Sequence, residues 1–401
     1  MPYWLYLIVT VPAISAFIGW LTNWQAVKMI FWPARRWGLG PLAWQGIIYH
    51  HADKFAANLG RIARDDLISS DELVRRADLD QLEPLLAPLV DGEAPGLVAE
   101  AAEAVMPGAW AQVPPPMQAL VIEQVKQRAR GIARDVVADV RGAAAELIDL
   151  QELVSQQLSG PNVERLARLT QQIGKREFFF IEWAGGVFGA LIGFMQIAVW
   201  GLFQHWWLMP VFGVAVGLAT NYLAIQMIFR PVERRRYLGV PYQGLFPKRQ
   251  GEIARDYGRT TASEVITPAT IIDHLTAGER GARLRALVTA AIERRLDAEW
   301  DQHKAMLPVP LSDEARLTLR AQVVDRLFAL APRLRAPVEA YLVDALDIRA
   351  TVEHRLASLP KPEFERLLRG VFQEDELTLI LVGGVLGGAV GCLQAAAVLA
   401  F

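Results

Sequence analysis

Charge is missing from three long stretches of this chain, and no other feature constrains its fold as strongly. Residues 1–27 contain no Asp, Glu, Lys or Arg, residues 377–401 contain none, and residues 178–229 contain only Glu182. A helix that crosses hydrocarbon needs about 20 mostly apolar residues. The two outer stretches each have room for one span. The middle stretch holds two, turning near Trp200–Trp207, where Gln204, His205 and tryptophans suit a membrane–water boundary. The chain is therefore read as an all-α integral membrane protein with four transmembrane helices, at about 3–27, 178–200, 204–229 and 377–400. The first stretch lacks the basic leader of a signal peptide, and a copy of it recurs in mid-chain.

That copy sets the organisation. Gly19, Thr22, Asn23, Ala26, Met29, Ile30, Phe31 and Pro33 recur as Gly217, Thr220, Asn221, Ala224, Met227, Ile228, Phe229 and Pro231, each pair 198 positions apart (221 less 23). The same offset carries Pro12 to Pro210, Gln45-Gly46 to Gln243-Gly244, and "GGVFGALIGFMQ" (185–196) onto "GGVLGGAVGCLQ" (383–394). One constant offset predicts an ungapped tandem duplication. Residues 1–200 form the first repeat, with a charged block at 28–177, and 201–401 form the second, with a block at 230–376.

Each repeat reads span, charged block, span, so both blocks emerge on one side. They hold all 41 lysines and arginines, and such residues accumulate on the cytoplasmic side. The expectation is a multi-pass protein of the bacterial inner membrane, its bulk cytoplasmic and both termini outside, the repeats related by a pseudo-twofold along the membrane normal. The blocks are predicted to be helical. After Pro114–Pro116, apolar residues fall at Met117, Val121, Val125, Ala129, Ile132, Val136, Val140, Ala144 and Leu147, on one helical face. "SSDELVRR" (69–76) is expected to place an N-cap before a short helix. Pro332 and Pro337 are expected to kink or break the corresponding helix of the second block. No strand-like alternation of any length is evident.

The pattern Gly-x-x-Thr-Asn-x-x-Ala-x-x-Met-Ile-Phe-x-Pro, followed by "QGLFPKRQGEIA" (243–254), resembles the bacterial membrane-protein family called domain of unknown function 445. "KREFFFIEWAGGVFGALIGFMQ" (175–196) is similar to its closing signature. The resemblance covers the chain twice over and implies an inner-membrane helical protein; it brings no reaction, substrate or cofactor. The first copy departs from it, having "QGIIYHH" (45–51) where the second has Pro247-Lys248-Arg249.

Three sets of residues stand out as candidates. Thr22, Asn23, Thr220 and Asn221 are polar positions near the cytoplasmic ends of their spans, either coordinating amides for an ion or headgroup or, as favoured, glue between helices across the pseudo-twofold. Gln196 and Gln394 lie near the outer face, so a second polar layer sits at another depth. Gly185, Gly189 and Gly193, with Gly383, Gly387 and Gly391, form small-residue stripes that let backbones approach closely, within the monomer or between subunits. The third set, Arg35, Arg36, Arg230, Arg234, Arg235, Arg236, Lys248 and Arg249, follows the spans among aromatic residues and suits anionic lipid headgroups or topological anchoring. The uncharged "GLGPLAWQGII" and "LGVPYQGLFP" stretches beside them are expected to lie along the interface. Glu182 is read as snorkelling or capping, and His50-His51, whose rings should point apart on a helix, as no metal site.

A net charge of −2 gives no basic bias toward nucleic acid, and a single cysteine, Cys392, allows neither a disulfide framework nor a cysteine zinc site. No motif for hydrolysis, nucleotide binding or metal catalysis is present. The expected protein is therefore not an enzyme and carries no cofactor or metal. The leading function class is an oligomeric membrane scaffold of the cell envelope, a homo-oligomer contacting anionic lipid. The alternative is a conduit or transport component for lipid or a small solute, formed by oligomerisation.

Overall fold

The structure is a computed structural model that describes residues 3–40, 43–105, 107–203, 205–237, 239–303, 313–372 and 376–400. Gln204, in the expected turn, lies outside the described residues. In chain order the helices are α1 (Tyr3–Phe31), α2 (Ile47–His50), α3 (Ala52–Ile62), α4 (Ser70–Ala77), α5 (Glu83–Val105) and α6 (Pro115–Leu147). There follow α7 (Leu150–Leu158), α8 (Val163–Phe203), α9 (Leu208–Phe229), α10 (Leu245–Lys248), α11 (Gln250–Thr260) and α12 (Pro268–Thr276). The remainder are α13 (Gly278–His303), α14 (Asp313–Leu346), α15 (Ile348–Ser358), α16 (Lys361–Phe372) and α17 (Glu376–Ala400).

The chain divides into two compact units, and each takes a share from both halves of the sequence. The first comprises Met1–Leu67, Val154–Val265 and Arg349–Phe401. In it α1 lies along α8 and α9 along α17, and α1 and α8 both touch α9 to close a four-helix group. Helix α8 has 41 residues. At ~1.5 Å of rise per residue its length is about 60 Å. It runs unbroken from the charged block into the apolar stretch, where the sequence suggested a boundary at 177/178. Hydrocarbon is only about 30 Å thick, so roughly half of α8 lies beyond it. At one end of the four-helix group, Ile228, Phe229, Phe246, Ile253, Phe364 and Leu368 form a buried cluster.

Local structure in this unit repeats at the 198-residue interval. Helices α2 and α3 correspond to α10 and α11, and each pair is followed by a π-helical turn, at Ala63–Leu67 and Thr261–Val265. The peptides Trp32-Pro33 and Arg230-Pro231 are both cis. The amides of Gly46 and Gly244 donate to the Pro33 and Pro231 carbonyls at 2.8 and 3.0 Å, and Gln45 and Gln243 side chains donate to Ala34 and Val232 carbonyls.

One short departure from an all-helical chain appears here. Arg235–Tyr237 (β1) and Val240–Tyr242 (β2) form an antiparallel hairpin in which Arg235 pairs with Tyr242. At the corresponding positions of the first half, Trp37 and Trp44 form an isolated antiparallel bridge. Strands so short and exposed give no alternation to read, which is why the sequence pattern missed them. Gly239, at φ 85°, occupies the left-handed conformation that a tight turn needs.

The second unit comprises Ile68–Leu153 and Ile266–Ile348. Its frame is a ring of four helices in which α5 packs on α6, α6 on α13, α13 on α14 and α14 on α5. Ser69 caps α4 as expected, its hydroxyl accepting from the Glu72 amide at 3.2 Å. Thr267 and Thr270 form a capping box at the start of α12, with Pro268 in the first turn. Helix α6 begins at Pro115 and follows the apolar spacing read from the sequence. Pro332 and Pro337 do not break α14, which continues through both to Leu346. Leu330 and Leu342, buried on either side of them, hold the helix by tertiary packing, which outweighs the lost backbone bonds. Around the ring run inter-helix ion pairs: Arg130 to Asp91 at 3.0 Å, Arg295 to Asp135 at 3.2 Å, Arg294 to Asp139 at 3.0 Å and Arg316 to Asp297 at 2.6 Å.

Candidate membrane site and adjoining groove

The side-chain amides of the span asparagines donate within the helix pair that contains them, while their Oδ1 atoms are buried without a hydrogen-bond partner. Asn23 Nδ2 donates to the Ile181 carbonyl of α8 at 2.6 Å, and Asn221 Nδ2 to the Leu379 carbonyl of α17 at 2.7 Å. Both amides are buried, as are Thr22 and Thr220, whose hydroxyls bond back to Gly19 and Val216 carbonyls at 3.2 and 2.8 Å. The two asparagines are thus glue within each half, and not across the pseudo-twofold as the sequence suggested. Gln196 is buried on α8; its Oε1 accepts from Ser15 at 3.3 Å, and its Nε2 reaches Met209 Sδ at 3.0 Å. Ser15 and Asn23 stand two helical turns apart on α1, about 12 Å of rise, so the two polar layers remain separate. Gln394 is half-buried.

The glycine stripes explain how such bonds can form. A Cβ on Gly185 would meet Asn23 Nδ2 at 2.6 Å, and on Gly193 it would meet Pro12 Cα at 2.7 Å. Gly189 lies against the Ser15 carbonyl of the same neighbour. In the second half, a Cβ on Gly383 would meet the Gly217 carbonyl at 2.6 Å and one on Gly391 the Met209 carbonyl at 2.6 Å, while Gly387 faces Gly213. Backbone therefore meets backbone along both seams, close enough for an asparagine to reach across to the next helix's carbonyl. Both stripes are occupied inside the chain, which leaves them no part in holding subunits together.

The basic candidates divide sharply. Arg249 is not a free headgroup contact: its guanidinium bonds Glu177 and, through Nε at 2.9 Å, Glu252. Glu177 is 1% exposed, and its second carboxylate oxygen has no hydrogen-bond partner. Arg176 adds a contact to Glu252 at 2.9 Å, and the Arg249 hydrogen bond chiefly holds the Glu252 carboxyl below its usual range. No sequence motif announces this pair, whose members stand 72 positions apart.

Arg35, Arg36, Arg230, Arg234, Arg235, Arg236 and Lys248 are exposed. Of these, Arg230 and Arg235 line a groove of about 910 Å³. Phe188, Leu223 and Met227 wall it on the span side, with Tyr237 and Tyr242 on the hairpin side. Successive strand residues point to opposite faces, which is why Arg235 and Tyr237 share the groove and Arg236 does not. Tyr242 anchors the hairpin to α9 through its hydroxyl, which donates to the Met227 carbonyl at 2.5 Å; burial pushes its pKa up to about 12. In the first half the equivalent surface is partly tied up, with Lys28 4.7 Å from the Trp24 ring and 5.6 Å from the Trp32 ring. His50 and His51, expected to point apart, are stacked edge to face with centroids 4.6 Å apart, because His51 has left the helical conformation. Among the described residues, no three His, Cys, Asp or Glu side chains gather as a metal site.

Three described helices are long and apolar enough to cross a membrane, within 160–203, 208–229 and 376–396. Their outward faces carry large exposed apolar side chains such as Leu191, Phe194, Val211 and Leu381, as lipid contact requires. Such a fold defines a helical membrane protein. Residues 211–331 match the family model described as "Protein of unknown function (DUF445)", the family its motifs resemble. Similar proteins include a UPF0754 membrane protein of Exiguobacterium sibiricum, 44% identical over 71 residues, covering 17% of this chain and 18% of the relative. Another, from Bacillus pumilus, is 33% identical over 101 residues, with 24% and 27% covered. The UPF0754 membrane protein YheB of Bacillus subtilis is 40% identical over 72 residues, with 17% and 19% covered. The matched segments thus span about a fifth to a quarter of these relatives' length. No solved structure matches the chain.

Proposed function

We propose that this protein is a four-span protein of the bacterial inner membrane, arisen by tandem duplication, that binds anionic lipid at its cytoplasmic face without catalysing a reaction. Helix α1 is the fourth span in this reading. Its support is the pairing of α1 with α8, which parallels that of α9 with α17, together with the recurrence of short helices, cis prolines and π turns at one interval. The segregation of all lysines and arginines into two blocks supports a cytoplasmic bulk with both termini outside.

The observation that carries the function is the groove between α9 and the hairpin. One wall is aliphatic and aromatic and belongs to a span; the other presents Arg230 and Arg235 together with a single carboxylate, Glu233. A phospholipid has the same two-part chemistry, and each basic residue at an anionic surface contributes about 1 kcal/mol. This favours the lipid-handling reading over the scaffold. The test is native mass spectrometry of the protein released from membranes with defined lipid. Phosphatidylglycerol is expected to remain bound, phosphatidylcholine to be lost, and Arg230→Gln with Arg235→Gln to reduce retention at least fivefold. Equal retention of both lipids by wild type and variant would refute it.

The scaffold reading keeps one observation of its own. Met117, Leu120, Leu287, Leu317 and Val343 are large apolar side chains exposed on the long helices of the second unit, available to partner subunits. A discrete large oligomer without bound lipid would favour it.

A further inference from the structure

The groove beside α9 carries a third charge that binding of an anionic lipid leaves unused. Glu233 lines it together with Arg230 and Arg235, and all three side chains are exposed. Glu233 stands within three positions of four arginines, Arg230, Arg234, Arg235 and Arg236. Among the described residues its carboxylate nonetheless pairs with none of them, and the guanidinium groups of Arg230 and Arg235 have no side-chain partner either. Near neighbours elsewhere in the chain do pair, as Arg249 with Glu252 at 2.9 Å and Arg335 with Glu339 at 2.7 Å. The groove thus holds two positive groups and one negative group that have not neutralised one another, a rim of net charge +1 (two less one).

Those three charges narrow the headgroup. Guanidinium groups recognise phosphate and carboxylate through paired N–H donors. A carboxylate on the same rim calls for a cation that donates hydrogen bonds, which is a primary ammonium. Tyr237, 53% exposed and on the same wall, adds an aromatic face of the kind that attracts such a cation. The complement of the rim is therefore a headgroup with two negative groups and one ammonium. Phosphatidylglycerol has the net charge but no cation for Glu233. Phosphatidylethanolamine has the cation but only one negative group for two arginines, and the quaternary nitrogen of phosphatidylcholine has no N–H to donate. The first half supplies an internal comparison. At the positions 198 earlier (233 less 35) stand Trp32, Arg35 and Trp37, so the acid is replaced by a base and both arginines by tryptophans.

We infer that the groove is selective for an anionic aminophospholipid, phosphatidylserine in the simplest case, with its ammonium at Glu233 and its phosphate and carboxylate at Arg230 and Arg235. The inference rests on the lipid-binding reading of this groove and adds the headgroup class to it. The span-side wall of Phe188, Leu223 and Met227 gives acyl chains their place, which favours a lipid over free phosphoserine.

The experiment places the full chain in nanodiscs of phosphatidylcholine holding equal parts of phosphatidylserine, phosphatidylglycerol and phosphatidylethanolamine, and counts the lipids retained on release by native mass spectrometry. An exposed ion pair is worth up to about fivefold in affinity, so wild type is expected to retain the serine lipid over the glycerol lipid by about that factor. Glu233→Gln should bring the ratio to about one, and Glu233→Lys, which adds a third positive group, should invert it. Since Glu233 is exposed and unpaired, both variants are expected to fold, which circular dichroism checks. Arg230→Gln with Arg235→Gln should lower both anionic lipids together and so reports on the lipid reading itself. Equal retention of the serine and glycerol lipids by wild type, a ratio that Glu233→Gln leaves unchanged, or retention of phosphatidylethanolamine as strong as that of phosphatidylserine would overturn the inference while anionic lipid binding stands. Loss of every anionic lipid from wild type would overturn both.

Discussion

Arg249→Ala is the most exacting test of how the first unit is held together. In the native protein the guanidinium covers Glu177, which is 1% exposed, while Arg249 itself is 16% exposed. Because the second carboxylate oxygen of Glu177 already lacks a partner, removing Arg249 strips the buried carboxylate of its ion pair altogether. Deleting one member of a buried pair costs about 3–5 kcal/mol, most of it the penalty of the charge left behind. The same argument predicts that Glu177→Leu with Arg249→Met recovers most of that loss, since it removes both charges together. The assay is reversible unfolding by titration with sodium dodecyl sulfate in mixed micelles, followed by circular dichroism. Arg283→Ala supplies the control, because Arg283 and Glu279 form a pair 68% and 81% exposed. If Arg249→Ala costs no more than that control, or if the double variant is as unstable as the single one, the buried-pair argument is wrong.

Gly217→Val should separate α9 from α17, because the new side chain would meet the Gly383 backbone at 2.5 Å. A loss of about 1–3 kcal/mol is expected in the same titration, with Gly251→Ala, which meets nothing, as control. His274 is buried, and desolvation chiefly lowers its pKa from the ordinary 6.5. The unfolded chain therefore binds the proton more readily, so stability should fall as pH drops below about 6.5, and His274→Gln should flatten that slope. A second loss belongs near the carboxylate range: Glu152, held low chiefly by its hydrogen bond to Arg280, stabilises the fold above its ordinary pKa and ceases to do so as acid protonates it in the folded protein. A reporter active only in the cytoplasm should be silent when fused after Phe401; activity there would reverse the proposed orientation.

Much of the membrane-associated architecture was legible because its determinants are local or repeated. The uncharged stretches required apolar helices, and the 198-residue interval picked out Asn23 with Asn221 and Gly185 with Gly383 before any contact was known. What the interval could not supply was the partner. Whether an asparagine bonds across the pseudo-twofold or to the helix beside it depends on which backbones the glycines allow to touch. Arg249 was misread for a related reason: its neighbours in sequence, Lys248 and the hairpin arginines, face solvent, while Glu177 arrives from another helix. At Pro332 and Pro337 the break allowed for by proline propensity does not occur, because packing within the ring sustains the helix. The groove was half visible, through its arginines; its apolar wall comes from Phe188 and Leu223, which in sequence look like any other span residues.

A seam made of backbone has a mechanical consequence. Closing α1 onto α8, or α9 onto α17, freezes few side-chain rotamers, and at the glycine positions backbone faces backbone with little between to absorb a change in crossing angle. Each couple should therefore behave as a stiff plank. Any breathing of the four-helix group would then take place where α1 and α8 meet α9, along side chains that can slide, and not within either glycine joint.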